Sequence, residues 1–197
     1  MESTVLGSQK NTNVLYVDDD CAFLSLMKEA LEGFDHFKVR CVSSVSEAIT
    51  ELANEKYDVI ISDYHMPQKD GLDFLKELKA IGNGIPFILF TGKGREEVAA
   101  KALNLGAFRY INKIGDYETV FTELTNSVQQ AFEQVISKEK LERTQQKYRQ
   151  LFNSMTNMFQ VVELLYDENN KPYDFCYYNV NPAFARLVGK QKSEILG

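Results

Sequence analysis

The sequence has few cysteines, no excess of positive charge and no long apolar run. Its three cysteines, Cys21, Cys41 and Cys176, lie far apart and form no CxxC or Cys/His pattern. We therefore expect reduced thiols rather than disulfides or a zinc site. The net charge of −6 argues against sequence-independent binding to nucleic acid phosphates or to anionic lipid.

The apolar runs are also too short to cross a membrane. Ile85 to Phe90 is among the longest of them, whereas a transmembrane helix needs about 20 apolar residues. Residues 1–12 are polar and lack the apolar stretch of a signal peptide, so we expect a flexible leader there. These features predict a cytoplasmic protein with no membrane partner.

Short apolar runs alternate with helical patterns along the first two thirds of the chain. A hydrophobic content of 44% with 25% charged residues is typical of a soluble globular protein. The runs predict five strands at Val14–Val17, Phe37–Val42, Val59–Ile61, Pro86–Phe90 and Phe108–Asn112, the first of them continuously apolar and therefore buried on both faces. Ser44 and Glu47 predict a capping box at the start of the second helix. This alternation predicts an α/β fold with a doubly wound parallel sheet and helices on both faces.

Polar side chains stand at the ends of four predicted strands. Asp18 and Asp19 follow the first, Asp63 follows the third, Thr91 follows the fourth and Lys113 follows the fifth. Ligands bind at the carboxyl ends of strands in such sheets, so we expect one crevice to contain all five. Clustered carboxylates repel one another unless a cation neutralises them, and oxygen-only ligands suit Mg²⁺. Asp63 would then be a nucleophile for a phosphoryl group, with the lysine and the threonine as phosphoryl ligands.

Four motifs in this order resemble the receiver domain of two-component response regulators, from Val14 to about Gln130. They are VLYVDDD at 14–20, VIISDYHMPQKDG at 59–71, FTGKG at 90–94 and YINK at 110–113. The resemblance implies a flavodoxin-like sheet with strand order 2-1-3-4-5 and a requirement for Mg²⁺. It also implies phosphorylation of Asp63 by a partner histidine kinase or phosphotransfer protein. Such a domain assists its own phosphorylation and dephosphorylation and is otherwise not an enzyme.

The resemblance implies a metal-binding role for the acidic positions. Asp19 would bind the magnesium ion directly, and Asp18 would act largely through water. Asp63, the phosphoacceptor, would be a further ligand together with the backbone carbonyl of His65. The two positions at which this family tunes hydrolysis of the aspartyl phosphate are occupied by His65 and Lys93.

The resemblance also implies a switch around the phosphoryl group. Thr91 and Lys113 would bind the phosphoryl oxygens, and Tyr110 would turn inward when Thr91 moves. The family usually has Pro after this lysine, often with a cis peptide bond, whereas Ile114 follows Lys113 here. A non-proline cis bond costs about 3 kcal/mol, so the geometry of this bond and the reach of the lysine are left open.

A long helix is expected after the fifth strand. Asp116 would cap it, and no Gly or Pro interrupts the chain from there to Phe152. We expect a receiver domain over 13–130 and a helical linker over 131–152. Apolar residues recur at 121, 124, 128, 131 and 135. This spacing fits either a heptad seam of a phosphorylation-dependent homodimer or a helix that packs on its own receiver.

Residues 153–197, together with the YRQLF run before them, resemble the first half of a PAS sensor domain. We expect strands at 159–166 and 173–180, a short helix at 182–188 that starts in NPAF, and a turn at EILG. A complete PAS domain needs about twice these residues to close its sheet. We therefore expect a partial α+β unit in a chain that continues past Gly197.

The leading function is a phosphorylation switch. Phosphorylation of Asp63 would change the face formed by the fourth helix, fifth strand and fifth helix, and with it the linker helix. One alternative is a sensor or scaffold that acts through the PAS-like segment. A second is an aspartyl-phosphate hydrolase of the haloacid-dehalogenase type, for which Asp18 and Asp20 have the spacing but Ala22 stands in place of Thr or Val. A flavodoxin-type electron carrier is a third, but it needs a Ser/Thr/Gly-rich phosphate loop where this chain is acidic.

Overall fold

A computed structural model of the protein describes residues 11–34, 36–92 and 96–196. They fall into two compact units that divide between Ser137 and Lys138. In the part of the chain that the structure describes, no helix combines the length and the apolarity needed to cross a bilayer.

The first unit is a parallel five-stranded sheet with helices on both faces. The strands are β1 (Thr12–Val17), β2 (Phe37–Val42), β3 (Val59–Ser62), β4 (Phe87–Thr91) and β5 (Arg109–Asn112). The helices are α1 (Cys21–Glu32), α2 (Val45–Asn54), α3 (Gly71–Ala80), α4 (Glu96–Asn104) and the first part of α5 (Tyr117–Ser154), which continues past Ser137. The strand order is β2-β1-β3-β4-β5, and every pair is parallel. The predicted doubly wound sheet and its strand order are therefore confirmed.

Strand β1 is continuously apolar from Val14 to Val17, and both of its faces are covered there. Side chains alternate across a strand, so Val14 and Tyr16 share one face while Leu15 and Val17 share the other. The first pair packs in a core cluster with α1 and α5, and the second pair packs in a cluster with α2, α3 and α4. All four side chains are fully buried. The sheet thus stands between two apolar layers, and polar groups are left for the strand ends.

The predicted capping box of α2 is only half formed. The hydroxyl of Ser44 accepts the backbone N–H of Glu47 at 3.2 Å, as expected. The Glu47 carboxylate, however, accepts the N–H of Ser43 at 2.9 Å. The Glu47 carboxylate therefore bonds the residue before the N-cap, Ser43, from which it accepts both the backbone N–H and the side-chain hydroxyl.

Helix α5 has 38 residues, which confirms the predicted uninterrupted helix. Near its start, Asp116 accepts the N–H of Thr119 at 3.1 Å. Leu124, Val128 and Ala131 are fully buried in the cluster that covers the α1 side of the sheet. At these positions the structure favours a helix packed on its own domain over a heptad seam. A phosphorylation-dependent homodimer stays a prediction.

The second unit contains an antiparallel pair of strands and two short helices. Strands β6 (Gln160–Tyr166) and β7 (Pro172–Val180) are followed by α6 (Pro182–Val188) and α7 (Lys192–Ile195). The predicted order of strand, turn, strand and helix is confirmed. The EILG segment, predicted as a turn, instead begins inside α7, at whose start the Glu194 carboxylate accepts the N–H of Gln191 at 2.7 Å. The PAS resemblance and the domain boundaries at 130 and 152 stay predictions.

Candidate functional site

The carboxyl edge of the sheet brings together the polar residues predicted from the strand ends. Asp18 follows β1, Asp63 follows β3 and Thr91 is the last residue of β4. These three are buried, whereas Asp19 beside them is exposed. Lys113 follows β5 and is largely enclosed. Parallel pairing of β1 with β3, β3 with β4 and β4 with β5 places all of them at one edge.

The ammonium of Lys113 bridges two buried carboxylates. Its Nζ lies 2.5 Å from Oδ2 of Asp18 and 2.8 Å from Oδ1 of Asp63. The lysine side chain is 16% exposed and the two carboxylates are 2% and 8% exposed. Charged groups removed from water need such partners, because an uncompensated buried charge is strongly destabilising. One cation therefore holds the acidic residues of β1 and β3 together.

The peptide bond between Lys113 and Ile114 is trans. With this backbone geometry the lysine side chain contacts both carboxylates. The geometry that the sequence left open is thus settled without a cis bond. Two aromatic rings lie against the ammonium, with Nζ 4.6 Å from the ring centroid of Phe23 and 5.4 Å from that of Phe90. Cations are attracted to the faces of such rings. The rings therefore help to hold the ammonium in place, while its N–H groups donate to the two carboxylates.

The three aspartates form an oxygen-rich cluster. Asp18, Asp19 and Asp63 can each offer one carboxylate oxygen such that all three oxygens lie within 4.8 Å of one another. Carboxylate oxygens without nitrogen or sulfur are the donors that Mg²⁺ prefers, whereas zinc sites use histidine and cysteine. The side chains at this edge therefore fit the predicted magnesium ion.

The carboxylate of Asp63 is oriented by backbone as well as by charge. Its Oδ2 accepts the N–H of His65 at 2.6 Å, and its Oδ1 is the atom that contacts Lys113. The hydroxyl of Ser62 donates to the Asp63 carbonyl at 2.8 Å. The chain therefore turns back around Asp63 within two residues, which fixes the carboxylate at the mouth of the crevice.

Gly71 allows α3 to begin close to this turn. Its N–H donates to the carbonyl of Tyr64 at 3.0 Å. A Cβ atom at this position would lie 2.7 Å from Cδ1 of Leu89 and would overlap the carbonyl oxygen of Asp63. Only a residue without a side chain fits there, so Gly71, the last residue of the VIISDYHMPQKDG motif, helps to position the turn that carries Asp63.

Asp18 has a partner that the sequence analysis did not identify. The hydroxyl of Tyr16 donates to Oδ2 of Asp18 at 3.0 Å, while Oδ1 accepts the N–H of Asp20 at 3.0 Å. Burial, and then the neighbouring Asp18, raise the pKa of Tyr16 well above its ordinary value. The hydroxyl therefore stays protonated and donates a hydrogen bond to Asp18. Spacing could have indicated this contact, because residues two apart on a strand share a face.

The remaining predicted residues surround the crevice. Tyr110 is half-buried on β5 and packs against the apolar cluster on the α3 side of the sheet; burial raises its pKa. The side chain of His65 is exposed and lies edge-on against Tyr64, with ring centroids 4.5 Å apart. Lys93 lies outside the described residues. The switching and tuning roles of these residues stay predictions.

Comparison with known proteins gives matches to the same part of the chain. The profile of the response regulator receiver domain matches residues 14–125. The transcriptional regulatory protein ZraR of Escherichia coli K12 is 29% identical over 118 residues, which are 60% of this chain and 26% of ZraR. The response regulator SaeR of Staphylococcus aureus is 36% identical over 102 residues, which are 52% of this chain and 44% of SaeR.

A solved structure supports the same assignment. The signal receiver domain of an HD domain-containing protein from Pseudomonas fluorescens Pf-5 has a TM-score of 0.59 at 28% identity, and the match covers 65% of this chain and 99% of that domain. The present chain spans about a quarter of the length of ZraR, so the likeness to that regulator concerns one part of it. Because the profile covers more than half of the chain and the strand order agrees with it, the chain belongs to the response regulator receiver domain family.

Proposed function

We propose that this protein is a phosphoacceptor switch of a two-component phosphorelay, in which Asp63 receives a phosphoryl group from a histidine kinase or a phosphotransfer protein. The observation that carries the proposal is the ammonium of Lys113, held 2.8 Å from Asp63 and 2.5 Å from Asp18 at the carboxyl edge of the sheet. A nucleophilic carboxylate beside a fixed cation is suited to transfer of a phosphoryl group, whose oxygens carry negative charge.

In the proposed transfer, a carboxylate oxygen of Asp63 attacks the phosphorus atom of a phosphohistidine on the partner. The phosphorus–nitrogen bond breaks as the new phosphorus–oxygen bond forms, and the electron pair stays on the departing imidazole. The product on Asp63 is a mixed anhydride. Lys113 would pair with the phosphoryl oxygens, and the hydroxyl of Thr91 would bind them from the end of the neighbouring strand.

Asp18, Asp19 and Asp63 are the side chains that would hold Mg²⁺, with the backbone carbonyl of His65 as the further predicted ligand. The fit of the three carboxylate oxygens within 4.8 Å supports this assignment. When bound, the ion would neutralise the clustered carboxylates and draw negative charge from the phosphoryl oxygens. His65 and Lys93 would tune the hydrolysis that returns Asp63 to its free form.

The output of the switch would begin at the paired strands β4 and β5. Thr91 is opposite Asn112 in this pair, and Tyr110 is opposite Leu89. A shift of Thr91 towards a phosphoryl group would therefore also displace the paired strand β5, where Tyr110 would turn inward. The face formed by α4, β5 and α5 would then change its preference for a partner or for a second copy.

The hydrolase alternative has less support. It needs Asp20 as a second catalytic carboxylate beside Asp18. Instead, Oδ1 of Asp20 accepts the N–H groups of Ala22 and Phe23, both at 3.0 Å, and so caps α1. A capping carboxylate that stabilises a helix start is a structural use of this residue.

Intact-mass spectrometry tests the proposal after incubation with a small acyl-phosphate donor and Mg²⁺. The wild-type protein should gain the mass of one phosphoryl group, and Asp63→Asn should gain none. Asp73→Asn is the matched control, because Asp73 is an exposed carboxylate paired with Lys76 on α3; it should be phosphorylated like the wild type. A wild type that gains no phosphoryl mass, or an Asp63→Asn variant that gains as much, would overturn the acceptor assignment.

A further inference from the structure

The carboxylate of Asp18 accepts three hydrogen bonds. Its Oδ2 accepts from two groups at once, Nζ of Lys113 at 2.5 Å and the hydroxyl of Tyr16 at 3.0 Å. Its Oδ1 accepts the N–H of Asp20 at 3.0 Å. The two oxygens are therefore distinguished by their partners, and the carboxylate has a defined rotation about its last torsion.

Tyr16 is the most deeply buried of these partners. Its side chain is fully buried on β1, in the apolar cluster that α1 and α5 cover. The N–H of Asp20 belongs to an exposed loop residue, and Lys113 is shared with Asp63. The terminal torsion of an aspartate is broad, so hydrogen bonds rather than rotamer preference decide where its oxygens point. A donor fixed in the core is the partner that can set this orientation.

We propose that Tyr16 is a positioning residue of the receiver site, whose hydroxyl holds the Asp18 carboxylate in the orientation in which it would bind the metal ion, largely through water. The inference rests on the proposed function, because it concerns the magnesium ion that Asp18, Asp19 and Asp63 would hold. Groups that hydrogen-bond a metal ligand from behind commonly change metal affinity 10–100-fold when they are removed. Tyr16 would act through Asp18, to which its hydroxyl donates, and not as a ligand of the ion or the phosphoryl group.

The test removes one oxygen atom from the core with Tyr16→Phe. Tyr57→Phe is the matched control, because the Tyr57 hydroxyl also donates to a carboxylate at 3.0 Å, that of Glu51 on α2, in a place unrelated to the acidic cluster. Isothermal titration with MgCl₂ gives the affinity of each full-length protein directly. We expect about a tenfold or greater loss of Mg²⁺ affinity for Tyr16→Phe and wild-type affinity for Tyr57→Phe.

A second readout separates positioning from general loosening. Phosphorylation rates with a small acyl-phosphate donor are measured over a range of Mg²⁺ concentrations. For Tyr16→Phe the concentration needed for half-maximal rate should rise by the same factor as the dissociation constant. The maximal rate should change much less, because saturating Mg²⁺ restores the orientation of Asp18. A variant with wild-type Mg²⁺ affinity, or one that loses only maximal rate, would overturn the inference.

Two outcomes remain distinct from these. If the wild type neither binds Mg²⁺ nor gains phosphoryl mass, the proposed function fails, whatever Tyr16 does. Circular dichroism shows whether Tyr16→Phe is folded. If it is not, the wild-type protein is labelled with ¹³C at the tyrosine Cζ atoms and titrated with Mg²⁺, and the resonances are followed by NMR. The Tyr16 resonance should then shift more than that of Tyr57, and equal or absent shifts would refute the coupling.

Discussion

The ammonium of Lys113 pairs with two buried carboxylates at once, so Lys113→Met should destabilise the receiver domain in the absence of divalent cations. Methionine preserves most of the apolar stem that lies against Phe23 and Phe90. The substitution therefore removes the charge and little of the packing. Asp18 and Asp63 would then lose the positive charge that pairs them, in positions that are 2% and 8% exposed.

The size of the effect follows from this burial. Loss of one partner from a buried ion pair costs about 3–5 kcal/mol, because the other charge is left unpaired. The lysine side chain is 16% exposed, which lets water approach the cluster and reduces the penalty. We therefore expect a loss of about 3 kcal/mol in the free energy of unfolding, the lower end of that range.

Urea unfolding followed by far-ultraviolet circular dichroism measures this loss in EDTA. Lys76→Met is the control, since Lys76 pairs with Asp73 on the exposed face of α3 and its loss should leave the urea midpoint unchanged. Added Mg²⁺ should stabilise Lys113→Met more than the wild type, because the ion replaces the missing charge. A Lys113→Met protein as stable as the wild type in EDTA would refute the view that Lys113 holds the cluster together.

Two further predictions concern positions beside and away from the site. Gly71→Ala should cost about 1–3 kcal/mol, since its methyl group would overlap the carbonyl oxygen of Asp63; Gly84→Ala, in open space, should cost nothing measurable by urea titration. Burial, with the hydrogen bond to Glu51, raises the pKa of Tyr57 from 10.0 to about 12. The unfolded chain releases this proton first, so stability should fall as pH rises through that window. It should fall less steeply in Tyr57→Phe, and equal slopes would contradict the assignment.

The fold could be predicted because the inner strands of the first unit, β1, β3 and β4, are covered on both faces. Continuous apolar runs such as Val14–Val17 then stand out from the helical patterns between them. The predicted details that were wrong are those for which several local hydrogen-bond partners compete. The Glu47 carboxylate accepts the N–H of Ser43 and not that of Ser44. The Glu194 carboxylate accepts the N–H of Gln191 at the start of a helix where a turn was expected. One hydrogen bond decides such details, and residue spacing does not determine it.

The site was predictable to the extent that backbone topology positions it. Asp18, Asp63 and Lys113 come together because parallel strands end at the same edge, and their order along the chain suffices to infer this. The aromatic faces of Phe23 and Phe90 against the lysine could not be inferred in the same way. Their contacts depend on the direction of individual side chains within a packed core.

Tyr16 shows why a residue type that satisfies the hydrophobic pattern can still have a polar function. In VLYV a phenylalanine would pack on the sheet as well as a tyrosine, and it would avoid burying a hydroxyl, which costs free energy unless it is hydrogen-bonded. Here the hydroxyl donates to a charged carboxylate, a bond worth about 1.5–3 kcal/mol, which offsets that cost. The hydroxyl thereby links the core of the sheet to Asp18, and through the shared ammonium of Lys113 to Asp63. Packing alone does not account for this tyrosine, and its effect on the acidic cluster does.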